Sequence, residues 1–167
     1  MLHNNKLSVI IVTYNSCSVI EECLESICLY NDIDLDLEVV IVDNSPHKNI
    51  SSVIQNLNLS LNIKYIHNPK NGGFGQGNNI GALHSSGDVL FFLNPDTILT
   101  DQIFSFILEQ YRLLNITISG FRLTDRDGKD VDSVGILPEY NFIYIPRWVL
   151  NFLVIRLGLM TNWIYPW

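Results

Sequence analysis

Short apolar runs, each ending in polar turn-forming residues, organise the N-terminal part of the chain. Leu7–Thr13 is a continuous β-branched run, which is typical of a strand covered on both faces of a sheet. Residues 37–42 and 88–93 have the same pattern, and Asn62–His67 is a shorter run of this kind. The sequence therefore predicts four strands, of which the first, second and fourth are buried.

Helical periodicity appears in the segments between these strands. In residues 17–30 apolar side chains recur at helical spacing and glutamates fill the remaining face, with Ser16 or Ser18 as the expected N-cap. A weaker pattern covers residues 50–58, and another helix is expected over residues 77–85, after a glycine-rich turn. These helices would connect successive strands.

A further helix is expected after the fourth strand, capped by Thr100 or Asp101 and ending near residue 114. Its inner face would carry Ile103, Phe104, Ile107, Leu108 and Tyr111. Residues 116–123 fit another strand, followed by a turn at residues 124–128. The alternation of strands and helices predicts an α/β fold, with a mostly parallel sheet flanked by helices and joined by right-handed crossovers.

The 167 residues, 47% of them hydrophobic, are enough for one domain with a core, which we assign to residues 1–135. Residues 136–167 differ in composition, because they contain all three tryptophans and few charges. The longest uncharged stretch there, residues 157–167, is shorter than the roughly twenty residues that a bilayer span needs. The sequence favours the start of an acceptor region or a membrane-surface segment over a transmembrane helix.

Charge and cysteine content narrow the functional classes. A net charge of -7 with ten Lys and Arg argues against a nucleic-acid-binding surface, because tracking phosphates needs clustered basic residues. Cys17, Cys23 and Cys28 match neither a metal-binding pair nor a disulfide framework, so we expect reduced packing residues. With no recognisable signal segment, a cytoplasmic location is expected, with the inner face of the cell membrane as an alternative.

The polar strand ends hold the candidate functional residues, because ligands of parallel sheets bind at the carboxyl ends of the strands. Asp96, two positions after Asn94, could hold Mg²⁺ or Mn²⁺ against a diphosphate, or could instead start a turn or cap the next helix. Asp43 could accept a hydrogen bond from the imide N–H of uracil or thymine. An Asx-turn is the alternative for Asp43.

Two other strand-end segments could contact a ligand. Thr13, Tyr14 and Asn15 could place polar groups and an aromatic ring beside a base, although Tyr14 could also fill the sheet edge. The turn after the third strand could bring its backbone close to a ligand, and a helix beginning near Gly77 would offer N–H groups to an anion. A tight connector is the alternative for this turn. Its glycines are Gly72, Gly73, Gly75 and Gly77.

Four motifs follow one another at the expected strand ends. They are SVIIVTYN at residues 8–15, VIVDNS at 40–45, NGGFGQGNNIG at 71–81 and LNPDT at 93–97. Together they resemble the family-2 glycosyltransferases with the A-type (GT-A) fold, and within them the rhamnosyltransferase-like branch of bacterial polysaccharide assembly. The resemblance runs from about residue 7 to 135 and includes GFRLTDRDG at 120–128.

This resemblance implies an activity and roles for individual residues. The activity would be metal-assisted, inverting transfer of a sugar from a UDP- or dTDP-sugar to a glycan or lipid-linked acceptor. Asp43 would bond the pyrimidine base, and Asp96, in the D-x-D position of the family, would be the metal ligand. The other donor-binding residues would be Thr13, Tyr14, Asn15, Asn71, Gly72, Gly73, Phe74, Asn78, Asn79 and Asn94.

One part of the family pattern is missing. Inverting members use an acidic residue downstream of the D-x-D position, usually in a Glu-Asp pair, as general base. No such pair follows here, and the later acids are Asp125, Asp127, Asp130 and Asp132 in the turn segment and the isolated Glu139. The chain is either part of a longer enzyme or a donor-binding module without transfer activity. A nucleotidyltransferase, the remaining alternative, needs a basic glycine-rich loop that residues 13–16 lack.

Overall fold

The structure, a computed structural model, describes residues 5–47, 49–114, 119–121, 123–125 and 127–131. The chain divides into two compact units, Met1–Asn115 and Ile116–Trp167. The domain boundary predicted after residue 135, the tryptophan-rich segment and the acids Asp132 and Glu139 lie outside the described residues.

The first unit is built on a parallel sheet of four strands in the order β3-β2-β1-β4. The strands are β1 (Leu7–Thr13), β2 (Leu37–Asp43), β3 (Asn62–His67) and β4 (Val89–Leu93). Every neighbouring pair in this sheet is parallel, and β1 lies between β2 and β4. The predicted parallel sheet is therefore confirmed, with each strand within one residue of its expected bounds.

Helices cover both faces of this sheet. They are α1 (Ile20–Leu29), α2 (Asn49–Leu57), α3 (Gly73–His84) and α4 (Phe104–Leu114), and a short 3-10 turn, Asp34–Asp36, precedes β2. Since successive strand residues point to opposite faces, Leu7, Val9 and Ile11 enter the core that α1, α2 and α4 complete. Ile10 and Val12 face α3. The helices contribute Ile20, Cys23, Leu24, Ile27, Ile50, Phe104 and Leu108 to the core.

The burial of the strands differs from the prediction at β4. β1 is buried along its whole length and β2 nearly so, as the β-branched runs indicated. β4 was expected to be buried too, but in the part of the chain that the structure describes it is an edge strand, in which Leu93 is buried and Leu90 exposed. An apolar run alone does not distinguish an edge strand from a central one.

The start of α3 was predicted wrongly. The helix begins at Gly73, four residues before the expected start, so Gly73, Gly75 and Gly77 all lie within it. Glycine has a low helix propensity, so the sequence of this segment favours a turn. Gly77 and Gly81 instead allow α3 to pack directly on β1 and β2, and this packing outweighs the propensity.

Both predicted helix caps were also wrong. The N-cap position of α1 is Val19, without a side-chain hydrogen bond. The hydroxyl oxygen of Ser16 accepts a hydrogen bond from the backbone N–H of Tyr14, at 3.3 Å, instead of from an N–H group of the helix. At the start of α4, the backbone N–H of Ser105 donates to both carboxylate oxygens of Asp32, at 3.2 and 3.3 Å. A residue distant in sequence therefore does what Thr100 or Asp101 was expected to do.

The inner face of α4 is narrower than predicted. Phe104 and Leu108 are buried, and Ile103 and Ile107 pack partly against the core. Tyr111, the fifth residue assigned to this face, is 39% exposed. The prediction that Tyr111 lies on the inner face was therefore wrong.

The second unit contains a small hairpin, β5 (Leu123–Thr124) with β6 (Asp130–Val131). The carboxylate of Asp125 accepts hydrogen bonds from the backbone of Asp127 and Lys129, at 3.0 and 2.9 Å, and closes the predicted turn. Of the expected strand at 116–123, the structure describes residues 119–121, which are not in a strand, and Leu123, which begins β5. None of the helices in the described ranges is long and apolar enough to cross a bilayer.

Candidate functional site

The carboxyl ends of the four strands lie along one edge of the sheet, because all neighbouring pairs are parallel. Thr13, at the end of β1, is in register with Asp43, at the end of β2. β4, which leads to Asp96, lies on the other side of β1. With strands about 4.8 Å apart, the β2 and β4 ends are separated by roughly 10 Å. The candidate residues predicted on β1, β2 and β4 therefore share one edge.

The carboxylate of Asp43 is the centre of a buried hydrogen-bond network. Its Oδ1 accepts hydrogen bonds from the hydroxyl group of Thr13, at 3.2 Å, and from the backbone N–H of Ser45, at 3.0 Å. Its Oδ2 accepts a hydrogen bond from the hydroxyl group of Tyr65, at 2.8 Å. Asp43 is 0% exposed. The bond to Ser45 forms the Asx-turn that is the alternative role for Asp43. The bonds from Thr13 and Tyr65 connect Asp43 of β2 to β1 and β3.

The electrostatics of this network keep Tyr65 neutral. Burial raises the pKa of Tyr65 well above its usual value, and the hydrogen bond to Asp43 and the charge of Asp43 raise it further. Tyr65 therefore remains a donor throughout the physiological pH range, and the buried carboxylate keeps its hydrogen bond.

Asn44 connects the end of β2 to the start of α3. Its backbone N–H donates to the carbonyl oxygen of Thr13, at 2.8 Å. Its side-chain nitrogen donates to the carbonyl oxygen of Gly73, at 3.2 Å, and its side-chain oxygen accepts a hydrogen bond from Asn68, at 2.7 Å. Since Asn44 is buried, these bonds fix the first turn of α3 against the strand ends.

The first turn of α3 presents an exposed N-terminus beside this edge. Asn71 and Gly73 have positive φ angles of 41° and 85°, and residues 71–76 are exposed. The first backbone N–H groups of a helix have no acceptor within it, and they carry a partial positive charge that attracts anions. Phe74 is 49% exposed there, whereas Asn78 is buried and Asn79 exposed in the second turn.

The loop after β1 adds an aromatic ring and polar groups to the same edge. Tyr14 is 54% exposed, so it does not fill the sheet edge. Asn15 has a φ angle of 53°, and its backbone N–H donates to the hydroxyl group of Ser45, at 2.8 Å. This bond holds the β1 loop against the β2 turn.

The turn after β4 carries Asp96 on the surface, and Asn94 is exposed beside it. The thiol of Cys23, on α1, lies beneath this turn and contacts the carbonyl oxygen of Asn94 at 3.8 Å. Burial raises the pKa of Cys23 to about 12, and the negative charge of Asp96 adds to the effect. Cys17, Cys23 and Cys28 are free thiols, of which Cys23 lies in the hydrophobic core and Cys17 packs against it.

The residues around Asp96 are compatible with a cation that takes most of its ligands from substrate phosphates and water. Among the residues that the structure describes, no three His, Cys, Asp or Glu side chains group into a metal site. Asp96 offers a single exposed carboxylate, next to the amide of Asn94. Mg²⁺ is commonly held by one or two carboxylates together with substrate phosphates and waters, so this set of donors fits such an ion.

Several residues of this edge are not predicted by the sequence patterns. Tyr65 lies inside β3, opposite Ile41, so a search limited to strand ends passes over it. The pairing of the strands nevertheless indicates this contact. Tyr65 is opposite Ile41, and Asp43 lies two residues after Ile41, so the side chains of Tyr65 and Asp43 are on the same face of the sheet. Asn44, Ser45 and Asn68 were recognised only as turn residues, and their hydrogen bonds across the strand ends require the three-dimensional pairing.

Known proteins resemble this chain across its described sheet and beyond. The sequence profile of the family described as "Glycosyl transferase family 2" matches residues 8–146. A GalNAc(5)-diNAcBac-PP-undecaprenol beta-1,3-glucosyltransferase of Campylobacter jejuni is 32% identical over 126 residues, 74% of this chain and 40% of that protein. The low-salt glycan biosynthesis hexosyltransferase Agl10 of Haloferax volcanii is 30% identical over 147 residues, 79% of this chain and 45% of that protein. The chain thus spans less than half the length of these relatives.

Solved structures agree with this relationship. The S. aureus TarS fragment 1–349, in complex with UDP-GlcNAc, superimposes with a TM-score of 0.57 and 28% identity, over 64% of this chain and 31% of that chain. The mannosyltransferase PcManGT from Pyrobaculum calidifontis, in complex with GDP-Man and Mn²⁺, has a TM-score of 0.56 and 22% identity, over 61% of this chain and 30% of that chain, and supports the fold. The fold is that of the GT-A glycosyltransferases, and the chain belongs to glycosyltransferase family 2.

Proposed function

We propose that this chain binds a UDP- or dTDP-sugar along the carboxyl edge of its sheet and serves sugar transfer to a glycan or lipid-linked acceptor. The observation that carries the proposal is the position of Asp43 and Asp96 on either side of β1, on one sheet edge. The ends of β2 and β4 are roughly 10 Å apart, because β1 lies between them. TarS, crystallised with UDP-GlcNAc and with UDP, supports the donor class.

Each part of the edge suits one part of such a donor. The base and ribose would lie against Thr13, Tyr14 and Asn15, with Asp43 accepting a hydrogen bond from the imide N–H. The exposed ring of Tyr14 offers an apolar surface to the base. The residues at the start of α3 that would line the ribose and diphosphate are Asn71, Gly72, Gly73, Phe74, Asn78 and Asn79.

The diphosphate would extend from the N-terminus of α3 towards Asn94 and Asp96. The helix N-terminus favours a negative charge through its N–H groups and its dipole. A Mg²⁺ or Mn²⁺ ion held by Asp96 would supply positive charge that stabilises the departing nucleoside diphosphate. Asn94, an amide in the position of the first acid, adds a neutral ligand and leaves Asp96 as the carboxylate of this pair.

The proposed reaction is a direct displacement with inversion. An acceptor hydroxyl oxygen forms a bond to the anomeric carbon as the bond from that carbon to the diphosphate oxygen breaks, and the hydroxyl proton passes to a base. The name of the C. jejuni relative favours a lipid-linked acceptor. A hexose or rhamnose donor, and peripheral contact with the inner face of the cell membrane through residues 136–167, remain predictions.

Nucleotide binding tests the proposal. Isothermal titration of the 167-residue chain with UDP and dTDP, with Mn²⁺ present, is expected to show binding that Asp96→Asn weakens by about tenfold. Asp101→Asn is the matched control, since Asp101 is an exposed acid in the same β4–α4 connection. The proposal fails if neither nucleotide binds, or if Asp96→Asn binds as tightly as Asp101→Asn.

Transfer is tested separately from binding. The chain is incubated with UDP-glucose or dTDP-rhamnose and an undecaprenyl-diphosphate-linked glycan, and nucleoside diphosphate release and glycan mass are followed. Release coupled to a glycan that gains one sugar supports transfer. Tight nucleotide binding without such release points instead to a donor-binding module, and removes transfer by this chain.

A further inference from the structure

Asn44, the residue that follows β2, is 2% exposed and bonds to three other segments of the chain. Its backbone N–H donates to the carbonyl oxygen of Thr13, at 2.8 Å, and its side-chain oxygen accepts a hydrogen bond from the side chain of Asn68, at 2.7 Å. These bonds hold Asn44 between the ends of β1 and β3. Its side-chain nitrogen donates to the carbonyl oxygen of Gly73, at 3.2 Å, and lies 3.3 Å from the position of a Cβ atom on Gly77. The amide group therefore contacts two successive turns of α3.

The first turn of α3 projects beyond the end of β1. Gly81 lies against Ile10 and Gly77 against Val12, so the helix runs antiparallel to β1 and begins past the last residue of that strand. Residues 71–76 are exposed there. The packing of Gly77 and Gly81 on the sheet positions the later turns of the helix, and the bond from Asn44 joins the first turn to the end of β2.

The sequence of this first turn gives it little stability of its own. Gly73 and Gly75 lie in the turn, and glycine has a low helix propensity. Gly72, at the N-cap position, has no side chain with which to cap the helix. The backbone N–H of Gly73 donates to the side-chain oxygen of Asn71, at 3.3 Å, but this bond is exposed and local to the turn. A buried bond to the sheet therefore matters more for the position of this turn than it would in a helix with a strong start.

We propose that Asn44 is a positioning residue for the diphosphate of the donor, and that it acts by holding the exposed first turn of α3 through the carbonyl oxygen of Gly73. The inference rests on the proposed function and adds to it the residue that fixes the phosphate-binding end of the helix. The N–H groups of a helix N-terminus favour an anion when they are ordered and point towards it. Because Asn44 fixes the turn in advance, less conformational entropy is lost when the ligand binds.

A purely structural role for Asn44 makes a different prediction. If its bonds only stabilise the fold, their removal changes the affinity for every ligand of the strand ends by the same factor. If Asn44 positions the helix N-terminus for phosphate, its removal weakens the binding of a nucleoside diphosphate and spares the nucleoside, which has no phosphate. The ratio of the two affinities therefore separates the roles.

The experiment compares UDP with uridine. Both are titrated into the wild-type chain and Asn44→Ala in the presence of Mg²⁺, and the dissociation constants are measured from NMR chemical shifts. The wild type is expected to bind UDP at least about tenfold more tightly than uridine. In Asn44→Ala the affinity for UDP is expected to fall about fivefold, while the affinity for uridine changes by less than about twofold. The preference for UDP therefore shrinks.

Asn31→Ala is the matched control. The side chain of Asn31 also bonds through both ends of its amide group, because its nitrogen donates to the carbonyl oxygen of Asp34, at 3.3 Å, and its oxygen accepts a hydrogen bond from the backbone N–H of Ile33, at 3.1 Å. Asn31 precedes β2 and so lies at the opposite edge of the sheet from Asn44. Asn31→Ala is expected to keep the wild-type preference for UDP.

Two outcomes overturn the inference while leaving the proposed function in place. They are an equal loss of affinity for both ligands in Asn44→Ala, and an affinity of Asn44→Ala for UDP that equals that of the wild type. A wild type that binds neither ligand, or binds both equally tightly, overturns the proposed placement of the donor as well. If its NMR spectrum shows that Asn44→Ala is not folded, Asn44→Ser, which keeps a polar side chain but lacks the amide nitrogen, carries the same comparison.

Discussion

Gly77 of α3 lies against Val12 of β1 so closely that a Cβ atom on Gly77 would come within 2.6 Å of Cγ1 and 2.9 Å of Cγ2 of Val12. One turn later, a Cβ atom on Gly81 would come within 2.4 Å of Cγ2 of Ile10. The backbone of α3 therefore packs directly on the sheet at two successive turns. Because Asn44 also bonds to Gly73, this close packing sets the position of the exposed helix N-terminus at the strand ends.

Gly77→Ala is expected to lower the free energy of unfolding by about 1–3 kcal/mol, because both methyl groups of buried Val12 block the new side chain. Urea denaturation measures the change. Gly75→Ala, in the same helix, is the matched control, since no atom lies within 4 Å of its added Cβ. This control is expected to gain about 0.5–1 kcal/mol from the higher helix propensity of alanine. A Gly77→Ala variant as stable as Gly75→Ala would contradict the packing.

These glycines show where sequence patterns stop predicting the fold. The four strands were predicted to within a residue, because β-branched runs that end in turn residues reflect local preferences and burial together. The start of α3 was not, because a glycine in the sequence looks the same whether it forms a turn or a close helix contact. The difference depends on what lies opposite each glycine, and for Gly77 that is Val12, distant in the chain.

In the candidate site, too, some residues could be predicted from the sequence and others could not. The positions of Asp43 and Asp96 followed from the rule that ligands bind at the carboxyl ends of parallel strands. Tyr65 did not, because its hydroxyl group reaches Asp43 from inside a neighbouring strand. Such a partner is found only when the register between β2 and β3 is known, and one sequence does not contain this register explicitly.

Asp32 is predicted to stabilise the start of α4. Its carboxylate accepts hydrogen bonds from the backbone N–H and the hydroxyl group of Ser105, in the first turn of the helix. Asp32→Ala is expected to cost about 1 kcal/mol in free energy of unfolding, as the loss of a helix cap usually does. Asp101→Ala, at the cap position expected from the sequence, should cost little, because the hydrogen bond that Asp101 accepts comes from the adjacent N–H of Gln102, which precedes the helix. Chemical denaturation of both variants checks this order, and a larger loss in Asp101→Ala would contradict it.

The three thiols are predicted to react at different rates. The thiolate is the reactive form, and burial raises the pKa of Cys23 to about 12, so its thiol stays protonated at neutral pH. Cys23 is also buried, whereas Cys17 and Cys28 are partly exposed. Labelling with a thiol-specific reagent under native conditions should therefore modify Cys17 and Cys28 first, and Cys23 only after unfolding. Cys23→Ser is the control and should keep both faster reactions. Three thiols that react at one rate in the native wild type would show that Cys23 is accessible.

Glu38 is predicted to make the stability of the sheet depend on pH. Burial raises its pKa, but hydrogen bonds from Ser8 and Ser86 outweigh this effect, so the pKa lies below the usual 4.5. The hydroxyl group of Ser8 donates at 2.7 Å and the backbone N–H of Ser86 at 2.8 Å, which joins β1, β2 and the segment before β4. A carboxyl group whose pKa is lower in the folded state stabilises the fold above the unfolded pKa, and this contribution is lost as the pH falls through the folded pKa.

Glu38→Gln should therefore be less stable than the wild type at neutral pH, by about 1–2 kcal/mol for hydrogen bonds to a partly exposed charge. The difference should shrink as the pH falls below the usual carboxyl pKa, because the wild-type side chain then becomes neutral as well. Urea denaturation at several pH values between neutral and strongly acidic measures this convergence. Glu25→Gln, at an exposed position on α1, should show no comparable convergence. A difference in free energy of unfolding between the wild type and Glu38→Gln that stayed the same at every pH would contradict the prediction. It would show that the hydrogen bonds from Ser8 and Ser86 do not depend on the charge of Glu38.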